Sequence, residues 1–388
     1  MKVLVVTESY WPNLDGGSVF ERNLVHGLGE RGHDVHVIAP SPTGAPFLEQ
    51  DKDSTIHRLR SIRLPGKFGR VGARTSVWPK RKIHRVFTEF EPDVVHYHNL
   101  FGIGLISLRY ARQHGIPVVA TNHNMPENMI DNVGPLGRVL SMDRVWQWQI
   151  KRLNQANFVT SPTQTAVDML LAHGLSVPNR AISNGVDLEQ YTPGPKDQAL
   201  LRKLGLPKNK PIVLYVGRLD GEKRMDVWLD AAAKIVTEMD AHFLIGGRGA
   251  AVPGLKRQAA GLGISNRVTF AGPIDHDELT PFYRLGDVFA IASPAELQSL
   301  VTLEAMAAGL PIVVCDAAAL PELCKSGRNG YLFLAGDPVG MAKSVGRILS
   351  NPTMGRKMGA ESRKIVEEFH DVREMPKNYE AVYREVTA

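Results

Sequence analysis

The stretch VFAIASPAELQSLVTLEAMAAGLPIVVC, residues 288–315, sets out one unit of the fold. Val288–Ala292 is a short, wholly apolar run that reads as a strand, a loop follows, and a helix begins near Ser299. A second apolar run, Ile312–Cys315, closes the unit. Short continuous Val/Ile runs separated by helices predict parallel strands covered on both faces. The same alternation extends towards the amino terminus through Ile212–Val216, His242–Ile245 and Arg267–Phe270. Further upstream a separate set appears: Lys2–Thr7, Asp34–Ala39, Asp93–Tyr97, Pro117–Thr121 and Ala156–Thr160. Between the first two of these, Ser18 is the expected N-cap of a helix running to about Glu30 and ended by Gly32. Asp143–Asn154 carries a long helical pattern before the last. The turn cluster Asn184–Asp187 and the linker-like Thr192–Pro195 separate the two sets. The expected architecture is therefore α/β, two doubly wound domains spanning residues 1–190 and 191–370, with a final helix over 371–388. Ligands in such sheets bind at the carboxyl ends of the strands, so a cleft between the domains is the expected active site.

The chain has 388 residues, 43% of them apolar and 22% charged. That balance belongs to a folded globular protein and excludes disordered, collagenous and membrane-spanning classes. Neither an export signal nor a spanning run is apparent, and two cysteines form neither a disulfide framework nor a zinc site, which suits a cytoplasmic protein. The net charge of +6 is unevenly spread. His57–Arg85 contains ten Lys/Arg and no Asp or Glu, and without it 36 basic residues face 40 acidic ones. A mildly acidic protein with one basic patch gives no general nucleic-acid footprint.

Four motifs carry chemistry. Asp15-Gly16-Gly17-Ser18 lies between the first strand and the first helix, where glycines permit close backbone approach and the helix start offers unpaired N–H groups. It is not G-x-G-x-x-G, which disfavours a nicotinamide dehydrogenase. Val216–Arg224 (VGRLDGEKR) follows a strand of the second set, and its Arg218 fork and Lys223 point charge suit a diphosphate. Asp220 and Glu222 in the same loop also suit a merely solvated turn. Glu296 and Glu304 stand eight positions apart, about 12 Å along a helix axis, and so bracket an elongated ligand whose phosphates meet the N–H groups near Leu300 and Val301. Finally, TNHNMPEN (121–128) supplies Asn122, His123, Asn124 and Glu127 at a strand end, beside His96 and His98 of the neighbouring strand. His98, Asn122, Asn124 and Glu127 are the expected acceptor contacts, with His123 at the reacting centre. Asp51-Lys52-Asp53 and Asp275-His276-Asp277 match D-x-D by chance, and no metal or other cofactor is expected.

Taken together, KVLVVTESYWPNLDGG, SNGVD, VGRLDGEKR and ELQSLVTLEAMAAGLPIV resemble the retaining glycosyltransferases of the GT-B fold, family four, over nearly the whole chain. The resemblance implies that Arg218 and Lys223 clamp the donor diphosphate, that Glu296 contacts the donor sugar, and that Glu304 contacts the ribose. Groups near Leu300 and Val301 would touch phosphate or sugar, and His123 would sit beside the sugar. Gly16 and Gly17 would lie against the diphosphate, and Gly247 and Arg248 where the base-binding region begins. His123, Arg218, Lys223 and Glu296 form the implied catalytic set. The implied reaction moves a hexose from a nucleoside-diphosphate sugar, a UDP-sugar being favoured, to an acceptor hydroxyl with retention, by a front-face route. Leu297-Gln298-Ser299 departs from the Phe-Gly of many members and leaves the sugar open, although the QSL form together with the NHNMPEN loop resembles members of envelope and glycolipid synthesis. In this fold the final helix commonly returns to the first domain.

The acid-free segment falls where the family binds its acceptor. Phe68, Val71 and Trp78 lie among its bases, with Trp146 and Trp148 on a later helix. Basic residues beside exposed aromatics form a membrane-surface pattern, so the expected acceptor is a membrane lipid and the expected location is cytoplasmic, peripheral on the inner membrane face. A soluble acceptor, a GT-B-like epimerase or phosphorylase, and a non-catalytic binding protein are the competing readings.

Overall fold

A computed structural model describes residues 1–13, 16–64, 73–98, 100–126 and 142–388. The chain divides into two compact units, Met1–Asn184 with Val372–Ala388, and Gly185–Asp371. The second unit thus begins six residues earlier than the 190/191 boundary expected above.

In the first unit, an eight-stranded sheet runs in the order β10-β9-β8-β7-β1-β2-β4-β3. Its strands are β1 (Lys2–Val6), β2 (Asp34–Pro40), β3 (Phe47–Asp51), β4 (Ser54–Leu59), β7 (Val94–Tyr97), β8 (Val118–Thr121), β9 (Phe158–Ser161) and β10 (Asn179–Ala181). All pairs are parallel except β3 with β4, a hairpin at one edge. A side hairpin joins β5 (Ser61–Arg63) to β6 (Arg74–Ser76). Strand alternation divides β1 between two cores. Leu4 and Val6 pack with helices Lys80–Phe90 and Met142–Leu153, whereas Val3 and Val5 pack with the helix Gly16–Glu30. The helix Met375–Thr387 completes the second core with Met375, Tyr379, Val382 and Tyr383. The helix Gly16–Glu30 starts two residues before the expected cap, so Ser18 lies within it, buried, its hydroxyl 2.9 Å from that of Ser9.

Six parallel strands form the second unit: β11 (Ile212–Val216), β12 (His242–Gly246), β13 (Val268–Gly272), β14 (Val288–Ile291), β15 (Ile312–Asp316) and β16 (Gly330–Leu334). Their order, β13-β12-β11-β14-β15-β16, is the 3-2-1-4-5-6 order of a Rossmann sheet, and it reverses between β11 and β14. The buried Trp228 locks the helix Met225–Glu238 onto the sheet by donating its indole N–H to Ala290 O at 3.1 Å. Among the described residues no helix is long and apolar enough to cross a membrane.

Candidate active site

The reversal between β11 and β14 makes their carboxyl ends the ligand crevice of the second unit. From β11 the chain enters Gly217, whose φ of 149° is open to glycine, and then the Arg218–Arg224 loop. Tyr215 ties this loop to its strand by donating its hydroxyl hydrogen to Arg218 O at 3.0 Å. A single 3-10 turn, Gly221–Lys223, carries Lys223 inward. From β14 the chain passes through Glu296 to Ser299, which caps the helix Leu300–Ala307 by accepting the Thr302 N–H.

Here the two loops meet. Lys223 Nζ lies 2.6 Å from Glu296 Oε1 and 3.7 Å from Glu222 Oε1, with side chains only 15%, 11% and 9% exposed respectively. Arg218 is outermost; its guanidinium holds Asp220 at 2.6 Å and also bonds Glu222. The helix Leu300–Ala307 follows Glu296, and the N–H groups of Leu300 and Val301 lie too early in it for an intrahelical bond. Asp220, Glu222 and Glu296 balance Arg218 and Lys223 here, so the groups that favour an anion are the N–H groups at the helix start.

Glu304 differs from the expected pairing. Glu296 precedes the helix, so the two carboxylates do not share a helical face. Tyr283 donates its hydroxyl hydrogen to Glu304 Oε2 at 2.6 Å, and Tyr191 bonds the same carboxylate. Burial pushes the Glu304 carboxyl up to about 7, the two phenols pulling the other way. Neither tyrosine was singled out in the sequence, where each reads as an ordinary core aromatic. Gly247, at the end of β12, has φ 130°, and a Cβ there would sit 1.9 Å from Gly217 O. Arg248 accepts the Leu219 N–H on its carbonyl and exposes its side chain. These two residues therefore dock the β12 loop against the Arg218 loop.

In the first unit, Gly16 and Gly17 open the helix that follows β1, and the Asp15 before them lies outside the described residues. His98 follows β7 and His123 follows β8; His98 Nδ1 is 3.1 Å from His123 Nε2, and Phe20 packs on both rings. His96 turns into the core, bonded to Tyr383 Oη at 2.7 Å and Thr121 Oγ1 at 2.6 Å. His96 and His98 therefore do not stand open as a pair. Burial holds both imidazoles well below the ordinary histidine value, and their neighbouring rings add to it. Asn122 is also buried, its Oδ1 accepting from Gln149 Nε2 at 2.7 Å, so it braces the loop instead of facing outward. Asn124 is exposed, and Glu127 lies outside the described residues. Glu8, after β1, accepts the Ile103 N–H at 2.6 Å, and burial raises its carboxyl to about 7.

The basic segment is only partly surface. Arg58 is 1% exposed and pairs with Glu49 at 2.7 Å, and Arg74 bonds Ser61. Arg60, Arg63, Lys80, Arg81 and Lys82 are exposed, as are Ile62 and Trp78, the latter at 87%. Trp146, expected at the surface, is buried against His173, and Trp148 stacks on Phe101. Lys67, Phe68, Arg70 and Val71 lie outside the described residues. The D-x-D residue Asp51 bonds Arg22 and His26, and His276 bonds Gln190.

Residues 14–190 match the model of Glycosyltransferase Family 4, and residues 210–351 match that of Glycosyl transferases group 1. The chain belongs to the family-four glycosyltransferases of the GT-B fold. A GDP-mannose-dependent alpha-mannosyltransferase of Mycolicibacterium smegmatis is 29% identical over 86% of this glycosyltransferase and 84% of its own length. An alpha-monoglucosyldiacylglycerol synthase of Streptococcus pneumoniae is 27% identical, over 86% and 75%. Among solved structures, sucrose-phosphate synthase of Thermosynechococcus elongatus has a TM-score of 0.83 at 20% identity, covering 99% of each chain. HepE of Anabaena, bound to UDP and glucose, has a TM-score of 0.76 at 19% identity, covering 99% of this chain and 100% of its own. These two share the fold of the glycosyltransferase.

Proposed function

We propose that this glycosyltransferase moves a hexose from a nucleoside-diphosphate sugar to an acceptor hydroxyl with retention of configuration. The observation that carries the reading is the Lys223–Glu296 contact at the carboxyl ends of β11 and β14. It sets a cation for the leaving diphosphate against a carboxylate that can accept from sugar hydroxyls. In the proposed reaction the bond from the anomeric carbon to phosphate breaks and a bond to the acceptor oxygen forms on the same face. The acceptor proton passes to the departing phosphate oxygen. Arg218, Lys223 and the N–H groups of Leu300 and Val301 meet the charge that grows on the diphosphate, the kind of term that usually dominates catalysis. Glu304 accepts from the ribose, His123 stands beside the sugar, and Gly16 and Gly17 let the backbone approach the diphosphate. Two cations and a helix start provide this charge without a metal ion, so chelator treatment should leave turnover unchanged.

For the acceptor we propose a membrane lipid, with the protein cytoplasmic and peripheral on the inner membrane face. The exposed Arg60, Arg63, Lys80, Arg81 and Lys82 beside Ile62 and Trp78 support this, as does the diacylglycerol named for one relative. A UDP-sugar is the proposed donor, with GDP-mannose the competitor raised by another relative. The experiment supplies labelled UDP-glucose or GDP-mannose with diacylglycerol-containing anionic vesicles and extracts the lipid. Labelled glycolipid with an α-linkage supports the reading. A β-linkage, or epimerisation without acceptor, contradicts it.

A further inference from the structure

The His98–His123 contact has a definite hydrogen-bond polarity, fixed by an atom at its far end. His98 Nδ1 and His123 Nε2 are 3.1 Å apart, so one nitrogen carries the shared hydrogen and the other accepts it. His98 is 2% exposed, and its other nitrogen, Nε2, is buried with no hydrogen-bond partner among the described residues. A neutral imidazole carries one N–H. If His123 were the donor, the single hydrogen of His98 would sit on Nε2 as an orphaned buried N–H, which is rarer and costlier in folded proteins than an unused acceptor. If His98 is the donor, only a lone pair is left unused. Burial, with His96 and His123 alongside, depresses the His98 basicity, which keeps this ring neutral.

We propose that His98 is a positioning residue that donates its Nδ1 hydrogen to His123 Nε2 and thereby fixes His123 as the Nδ1–H tautomer. The catalytic meaning of this arrangement rests on the reading of His123 as the residue beside the donor sugar. Under that reading, the hydrogen of His123 lies on Nδ1, and its Nε2 lone pair is already engaged by His98. His123 then orients the donor and does not take the acceptor's proton, in keeping with transfer of that proton to the departing phosphate. The ring is held from several sides: Phe20 lies 4.7 Å from His123 and 5.6 Å from His98. His96 lies 4.1 Å behind His98, itself fixed by Tyr383 and Thr121.

Long-range proton–nitrogen spectra of the full chain, labelled with 15N-histidine and assigned with His123→Gln, report which His123 nitrogen bears hydrogen. The wild type should show His123 as Nδ1–H. His98→Asn, whose amide can donate from nearly the same place, should keep that pattern. His98→Ala should convert it to a tautomer mixture, and it should lower any transfer from UDP-glucose or GDP-mannose by about tenfold to a hundredfold, as loss of an outer orienting partner commonly does. An Nε2–H His123 in the wild type, or an unchanged pattern in His98→Ala, overturns the proposal. The spectra need no substrate, so failure of the transfer reading leaves this result standing by itself.

Discussion

At Lys223 a single ammonium group links the two loops, 2.6 Å from Glu296 and 15% exposed. A hydrogen bond between charged groups contributes about 1.5–3 kcal/mol. If the same ammonium serves the leaving diphosphate, Lys223→Ala should lower kcat by roughly tenfold to a hundredfold or more. Steady-state turnover checks this, and near-normal activity would remove Lys223 from the mechanism. Glu304 gives a second prediction, on stability. Its folded carboxyl is raised to about 7 from an ordinary 4.5, so the folded protein binds the proton more tightly than the unfolded chain. Below about pH 4.5 this residue imposes no penalty. As pH climbs from there through 7, stability is lost, up to roughly 3 kcal/mol. Glu304→Gln, which cannot ionise, should therefore match wild type near pH 4.5 and become the more stable protein by pH 8. Denaturant melts across that range test the sign, and a parallel pH course for the two proteins would refute it.

Among the elements, the helix Met375–Thr387 does more than end the chain. Its Tyr379 hydroxyl lies 3.2 Å from both Thr121 and Thr160, Tyr383 bonds His96, and both rings are wholly buried. Tyr379→Ala removes an aromatic side chain from that core at a cost of about 3–5 kcal/mol. Amide exchange should quicken across β1 and β7 and stay slow across β11 and β12; equal quickening in both sheets would mean the helix does not belong to one unit alone. This helix was visible in the sequence, but its partners were not, because hydrogen bonds 258 or 287 residues apart leave no local pattern. Residues 288–315 were legible because continuous Val/Ile runs in a sheet buried on both faces stand out from the helix between them. The edge hairpin β3–β4 was missed because Phe47 and Leu48 are exposed and the strand lacks such a run. Ser18 misled because a serine before an apolar-periodic run reads as a cap, yet its hydroxyl bonds Ser9 from inside the helix. Lys223 and Glu296 both stand out in the sequence, whereas their contact depends on the strand order that brings β14 beside β11.

For the molecule as a whole, charge and surface divide its tasks. The positive excess concentrated in residues 57–85 is thinner than a count suggests, since Arg58 is internal and Arg85 pairs with Glu89. The exposed remainder, Arg60, Arg63, Lys80, Arg81 and Lys82, should still bind anionic vesicles, each cation near the surface contributing about 1 kcal/mol. Co-sedimentation should be strong with anionic vesicles, weak with neutral ones, and reduced by salt. Equal binding to both, or none, rejects electrostatic docking and favours a soluble acceptor. The central claim, a nucleoside-diphosphate sugar held by the second unit, is tested most directly by thermal stability with UDP-glucose, GDP-mannose and ADP-glucose, for wild type and Lys223→Ala. At a hundred times its dissociation constant the true donor adds about 2.7 kcal/mol of stability. The account predicts a clear upward shift with one of the three in the wild type, much reduced in Lys223→Ala at the same concentration. No shift with any of them, or an equal shift in the variant, would contradict it.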